Sequence, residues 1–457
     1  MNSIWAIARN TMAQALRMKI AGVVVVLLLI LLPMMSMIMI GDGTLLGKLQ
    51  TFSSYGLSLV GILLCILTIA ISTFTLSDEM KRRQIFLVVT KPVRRWQILV
   101  GKFLGIVIVD VVLLGLFSGL IFGLTMFMPR FVAASPEDAV KAGDEFFTAR
   151  VGLKVSTDEQ ALQERVKQRY EKLKEERRLP DTMTQIEVLS ELMREERLGE
   201  KSVEAGRVRK WTFKNVYPAS DPNAMIFVRY KLDTSNAVSD VTVYGLWAVG
   251  DLTAYEQGGG SLTTPIYNLQ KDSATRAVQE FAIPADAVTK DGILEVGFLN
   301  NPNLNEMTVI VQDLEVLYKV GTFTGNFWRA TLLILIRLLF LAALGITLTT
   351  WLSFPVAVLG CLAIFSAGIV NGFIMESIDG LGAGIGILYT FTIKPFLLLL
   401  PQFDGDFNPA SYIVSGRMIQ WLFLLRTAAI TVGLKGLILL GFGIYIFHRR
   451  EVAKSVV

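Results

Sequence analysis

Two long apolar runs, Phe52 to Thr75 and Ile98 to Met128, stand on either side of a short segment crowded with Lys and Arg. Each exceeds the roughly 20 apolar residues that cross about 30 Å of hydrocarbon as a helix. Lipid offers no partner to a free N–H or C=O, so both runs are expected to be membrane-spanning helices. The segment between them carries Lys81, Arg82, Arg83, Lys91, Arg94, Arg95 and Lys102 against Asp78 and Glu79. Short loops this basic stay in the cytoplasm, which orients everything else. Ile85, Phe86, Val88 and Val89 recur at helical spacing and Pro92 ends the turn, so residues 77–97 are expected to hold a short helix along the membrane surface. Ordinary membrane-flanking anchors carry the same charges.

The rest of the chain fits a polytopic membrane protein. Of its 457 residues 53% are hydrophobic, with mean hydropathy +0.52. The net charge of +5 sits in membrane-flanking segments and forms no basic domain, which argues against a nucleic-acid partner. Cys65 and Cys361 both fall inside apolar runs, so a structural disulfide is not expected. At the N-terminus Ile4, Trp5, Ala8, Met12, Ala15 and Leu16 share one helical face opposite Arg9, Asn10, Gln14 and Arg17, the pattern of an interfacial elbow helix. Ile20 to Ile40 follows as a first span, too long for a cleaved signal peptide.

Three crossings from a cytoplasmic start place residues 129–324 outside, and this stretch has two textures. Residues 135–206 are charged and read as helical, with capping boxes at Thr157/Gln160 and Thr184/Glu187 and Pro180 between the two helices. Residues 207–320 alternate with period two (Ile226, Val228, Tyr230, Leu232; Leu294, Val296, Phe298), which predicts an antiparallel, jelly-roll-like β-sandwich. Trp211, Tyr244, Trp247, Tyr255 and Tyr267 are candidates for a glycan platform or, equally, for core packing.

Four apolar segments remain in residues 325–457, and the basic tail His448, Arg449, Arg450, Lys454 belongs inside, so three of the four cross. The segment 385–400 is short, holds Lys394 next to Pro395 and follows a glycine-rich turn; it is expected to be a re-entrant or interfacial helix on the outer side. The fold class is therefore six spans plus this helix, with an inserted α+β domain. A charge at a span centre costs roughly 2.5–3.5 kcal/mol, so the intramembrane charges need partners. Asp110 and Lys435 lie at similar depth and are expected to pair, while Arg337 and Arg426 are expected near Glu376 and Asp379. Gly115, Gly119 and Gly123 recur every fourth residue as a close-packing face, within the chain or against a second copy.

No catalytic chemistry emerges. The single histidine, His448, supports no His-based metal cluster or nucleophile pair, and no G-x-x-x-x-G-K-[ST] is present, so no cofactor or ATPase activity is expected of this chain.

Glu79, the run Leu87-Val88-Val89-Thr90-Lys91-Pro92-Val93, Arg95 and Gly101-Lys102 are similar to the cytoplasmic signature in permease subunits of the type-2 ABC exporter family. The resemblance extends to the elbow helix, the six-span plan, Leu399-Leu400-Pro401-Gln402 with Phe407-Asn408, and Phe447-His448-Arg449-Arg450. It departs at Arg83-Gln84, where many members have Gly-Thr, and in the size of the external domain. The resemblance implies a permease of the cytoplasmic (inner) membrane, a homodimer or a heterodimer with a related permease. Its partners would be cytoplasmic ABC ATPase subunits, which hold the ATP and Mg. Glu79, Arg83, Phe86, Lys91, Pro92, Arg95 and Lys102 would shape the ATPase contact. An export permease, a non-transporting device that transmits ATPase motion to the external domain, and a membrane-anchored binding module are the three function classes in play.

Overall fold

The computed structural model describes residues 2–81, 94–132, 135–155, 159–179, 184–218, 224–235, 241–256, 264–379, 392–395 and 397–449. Arg83, Phe86, Lys91 and Pro92, and with them the surface helix expected between the second and third spans, lie outside these residues; so do Thr157 and Pro180. Two compact units emerge: a helical one built from residues up to Thr148 and from Thr322 onward, and a second spanning Ala149–Gly321. Pro136–Lys141 and the turn after it belong with the helices, and Phe146 packs in the helical core.

In the helical unit, six helices among the described residues are long and apolar enough to cross a membrane: Lys19–Ile38, Leu45–Lys81, Arg95–Arg130, Phe323–Thr349, Phe354–Met375 and Trp421–Arg449. None of the six comes from 385–400, of which residues 392–395 and 397–399 are helical. The second span continues helically beyond the expected Thr75 to Lys81. Its 37 residues give about 55 Å of helix, well over a bilayer's hydrocarbon. Leu64, Leu67, Ile71, Phe117, Leu338 and Leu341, each at most 2% exposed, build the core between the second, third and fourth spans. The first, fifth and sixth spans leave most of their surface uncovered, as lipid-facing helices do.

The elbow helix, Asn2–Arg17, precedes the first span. Its buried seam is Ala8, Thr11 and Ala15, all 0% exposed, whereas Trp5 and Leu16 are 59% and 68% exposed. Small residues line the fully buried seam, Ile7 and Met12 pack beside it, and Trp5 and Leu16 face outward.

The second unit is a two-sheet sandwich with a helical hairpin. One sheet has the order β1-β9-β4-β7 with β2 on β9, and the other β3-β8-β5-β6. The strands are β1 Thr148–Lys154, β2 Ser202–Val203, β3 Val208–Phe213, β4 Met225–Thr234, β5 Thr242–Gly250, β6 Tyr267–Ala274, β7 Val278–Pro284, β8 Leu294–Asn300 and β9 Val309–Thr322. From β3 onward the chain changes sheet at every connection but one, the β5–β6 hairpin, in the manner of a jelly roll. Ile226, Val228, Tyr230 and Leu232 fill the core from one sheet, and Trp247, Val296 and Phe298 from the other. β1 and β2 fall inside the region expected to be wholly helical. The hairpin helices, Glu159–Glu175 and Gln185–Lys201, meet over Val166, Tyr170, Val188 and Leu192, and Thr184 with Glu187 forms the expected capping box.

Candidate functional site

Of the residues that matched the signature, Glu79, Gly101 and Lys102 converge where the second and third spans meet the elbow helix. Lys102 Nζ and Glu79 Oε2 are 2.9 Å apart, with side chains 1% and 10% exposed. The ammonium also donates to the carbonyl of Thr75 (3.2 Å), and Gln14 of the elbow helix donates to Glu79 Oε1 (3.2 Å). A buried ion pair is tolerated only with this kind of additional hydrogen bonding. The elbow fits because the third span presents glycines to it. A Cβ on Gly101 would lie 2.8 Å from Ile7 Cβ, and one on Gly105 2.6 Å from the carbonyl oxygen of Ala8. Gly101-Lys102 thus does two jobs in adjacent positions, one a close approach and the other a charge.

Arg95, the first residue of the third-span helix, donates to the carbonyls of Phe447 (3.2 Å) and His448 (2.6 Å) at the end of the last span. A cation at a helix C-terminus satisfies carbonyls left without an intrahelical partner. The described residues on either side of 82–93 contact other helices: Glu79 the third span and the elbow, and Arg95 the sixth span.

The intramembrane charges find partners other than those expected. Asp110, fully buried, accepts from the Thr68 hydroxyl (2.8 Å), and Lys435 donates to the carbonyls of Leu398 and Leu400 (2.8 Å each). They do not pair with each other. Arg337 donates to the carbonyls of Phe403 (2.6 Å) and Phe407 and lies over the Phe403 ring. Arg426 is exposed on the last span. The common partner is the irregular strap between the fifth and sixth spans. Asn371 donates to Leu397 and Pro401 carbonyls, Asn326 to that of Arg417 and Arg329 to that of Ile419, while Asp404 accepts from the N–H groups of Gly372 and Phe373. Non-helical backbone needs such partners at membrane depth. Sequence reasoning sought acids for these cations, yet carbonyl oxygens occur at every residue and leave no mark in composition. Beside the strap, Cys65, Arg337, Phe365, Phe403, Asp404 and Asn408 help line a cavity of about 160 Å³.

Two further expectations change. Trp247 is 0% exposed, packed against Tyr230, Phe281 and Phe298, and Trp211 is 8% exposed, so both serve the sandwich core. Only Tyr244 and Tyr255 of the proposed glycan platform are exposed, at 38% and 65%. Gly115, Gly119 and Gly123 face open space among the described residues and are not a packing seam within the chain.

Residues 5–153 match the family model described as ABC-2 family transporter protein. Neither the curated proteins nor the solved structures give a match. The matched stretch, about a third of the chain, holds most of the elbow helix, the first three spans, the Glu79–Lys102 pair and Arg95, and in it the chain is similar to the ABC-2 family transporter proteins.

Proposed function

We propose that this subunit couples ATP hydrolysis by separate cytoplasmic ATPase chains to outward movement of a substrate, with both termini inside and the inserted domain outside. The observation that supports this best is the clamp at the base of the bundle. Glu79, Lys102 and Gln14 tie one end of the basic segment to the third span and the elbow, and Arg95 ties the other end to the sixth span. A force applied to the segment by an ATPase reaches three helices through short polar contacts. In this reading Arg83, Phe86, Lys91 and Pro92 face the ATPase, and the chain itself holds no nucleotide. The transporter is a dimer, as homodimer or with a related permease.

A second reading, transmission of ATPase motion to the inserted domain without transport, is favoured by one feature of the helical unit. Phe146 and Phe147, just before β1, pack against Phe323, just after β9, tilted and edge-on at centroid distances of 5.1 and 5.4 Å, and Phe323 continues into Phe327 and Phe122. Both chain connections of the inserted domain are thereby gripped in one aromatic cluster.

Affinity purification of the tagged chain in mild detergent, with mass spectrometry and an ATPase assay, tests the proposal. A P-loop chain should co-purify and be lost when Pro92→Ala is combined with Arg95→Glu. A chain that purifies without any ATPase refutes the coupling. Transport of labelled substrate in vesicles then separates export from transmission.

A further inference from the structure

Several cations of the second unit are held in ion pairs with carboxylates. On the hairpin Arg169 reaches Glu195 and Glu196, and Arg197 reaches Glu159; in the sheet Arg150 and Arg229 share Glu280. Between β3, β9, the end of β1 and the hairpin lies a cleft of about 860 Å³, whose lining includes Lys154, Arg165, Lys201, Arg209, Lys210 and Lys214. Six cations there face two carboxylates, Glu200 and Asp313. Arg165 is bound to Glu200, and Lys210 is held by Thr253, Glu256 and Glu295. Among the described residues, Lys154, Lys201, Arg209 and Lys214 have no carboxylate within ion-pair distance.

The cleft is half open to solvent. Trp211, Val311 and Leu314, 8%, 3% and 6% exposed, contribute its apolar lining. Beside them the bulge that shifts the register of β9 against β4 includes Asp313, in left-handed backbone with φ 49°. Low-dielectric walls concentrate the field of the cations in the opening. Like charges gathered this way repel one another, and an anion relieves the repulsion.

We propose that this cleft binds a ligand carrying two phosphate groups. A phosphate monoester bears a charge of about −1.5 to −2, so two of them offset the excess left by the four unmatched cations against Asp313. Its oxygens accept from Lys ammonium and Arg guanidinium groups in short, charge-assisted hydrogen bonds. The volume lies in the roughly 300–1,000 Å³ range of small-ligand sites. A diphosphorylated lipid headgroup and a soluble sugar bisphosphate share this chemistry. The inference is independent of whether the output is export or force transmission.

The test uses the detergent-purified full chain. Fructose 1,6-bisphosphate is titrated by calorimetry, and a diphosphorylated glycolipid is added to the micelles and read by native mass spectrometry. One-to-one binding of at least one probe is expected, and which of them binds identifies the source. Lys201→Gln with Arg209→Gln should weaken binding about tenfold or more per lost charge-assisted bond. The same change at Lys172 and Lys174, on the hairpin but outside the lining, should leave it unaltered. If the first double variant does not fold, Lys154→Gln with Lys214→Gln, both exposed residues, replaces it. Failure of both probes to bind, binding that survives the substitutions, or equal competition by sulfate at matched ionic strength overturns the assignment.

Discussion

Glu79 and Lys102 form a 2.9 Å ion pair with almost no solvent contact, and it links the end of one span to the start of the next. Removing one partner from such a pair leaves a bare buried charge and costs about 3–5 kcal/mol. Lys102→Met is therefore expected to lower the thermal midpoint of the detergent-solubilised protein sharply. Combining it with Glu79→Gln should recover much of the loss. If the double variant is as unstable as the sum of the singles, the two side chains are not coupled.

The elbow helix is seated on glycines, and its position is expected to be sensitive to a single methyl. Gly105→Ala places a Cβ against the Ala8 backbone, which cannot yield as a flexible side chain does. Amide exchange over residues 2–17 should accelerate in this variant while exchange in the second and fourth spans stays slow. Gly115→Ala, with open space around it, serves as the control and should change neither.

Arg337→Met should strip two strap carbonyls of their donor, at about 1–3 kcal/mol for each buried group left unsatisfied. Arg337→Lys, with a compact ammonium in place of the fork, is expected to restore only part. Because Asp110 and Lys435 have separate partners, Asp110→Asn and Lys435→Met should destabilise additively in a double-mutant cycle. A coupling energy above about 0.5 kcal/mol would contradict the separate contacts.

Glu187 accepts the Thr184 N–H at 2.7 Å, and that bond, together with a hydrogen bond from the Thr184 hydroxyl, holds its carboxyl below the ordinary 4.5. A depressed folded-state value means that the stabilisation is present above the unfolded-state value and is lost as pH falls through the folded one. Protection of the first turn of Gln185–Lys201 should therefore decline on acidification below about 4.5, and Glu187→Gln should abolish that decline. Thr184→Ala is expected to cost about 1 kcal/mol at neutral pH, measured by hydrogen exchange of the same turn.

Long-period signals were legible and partner choice was not. Hydropathy marked all six spans, because twenty apolar residues in a row have few other uses, and the period-two run at Ile226 to Leu232 marked a strand that the fold contains. The Thr184 cap was readable because its two reciprocal bonds involve specified residue types at specified spacing. By contrast, β1 was hidden in a charged stretch too short to show alternation, and Trp247 is as consistent with a platform as with a core until its neighbours are known. Glu79 and Lys102 were singled out through their signature, but Gln14, which donates to Glu79, carries no signal in a helix where it reads as one more polar residue. Arg337 and Lys435 were recognised as needing partners, and the partners were backbone oxygens.

Those backbone oxygens have a consequence for how the protein is made. Arg337 leaves the ribosome 66 residues ahead of Phe403. At roughly 5–20 residues per second this is an interval of roughly 3–13 s. Throughout it the fourth span holds a guanidinium for which the hydrocarbon offers nothing. Lys435, in turn, arrives 37 residues after Leu398, whose carbonyl waits for it. The fourth span carries that cost, roughly 2.5–3.5 kcal/mol, until the strap is synthesised, and a truncation between residues 337 and 403 should leave it less firmly inserted than in the full chain.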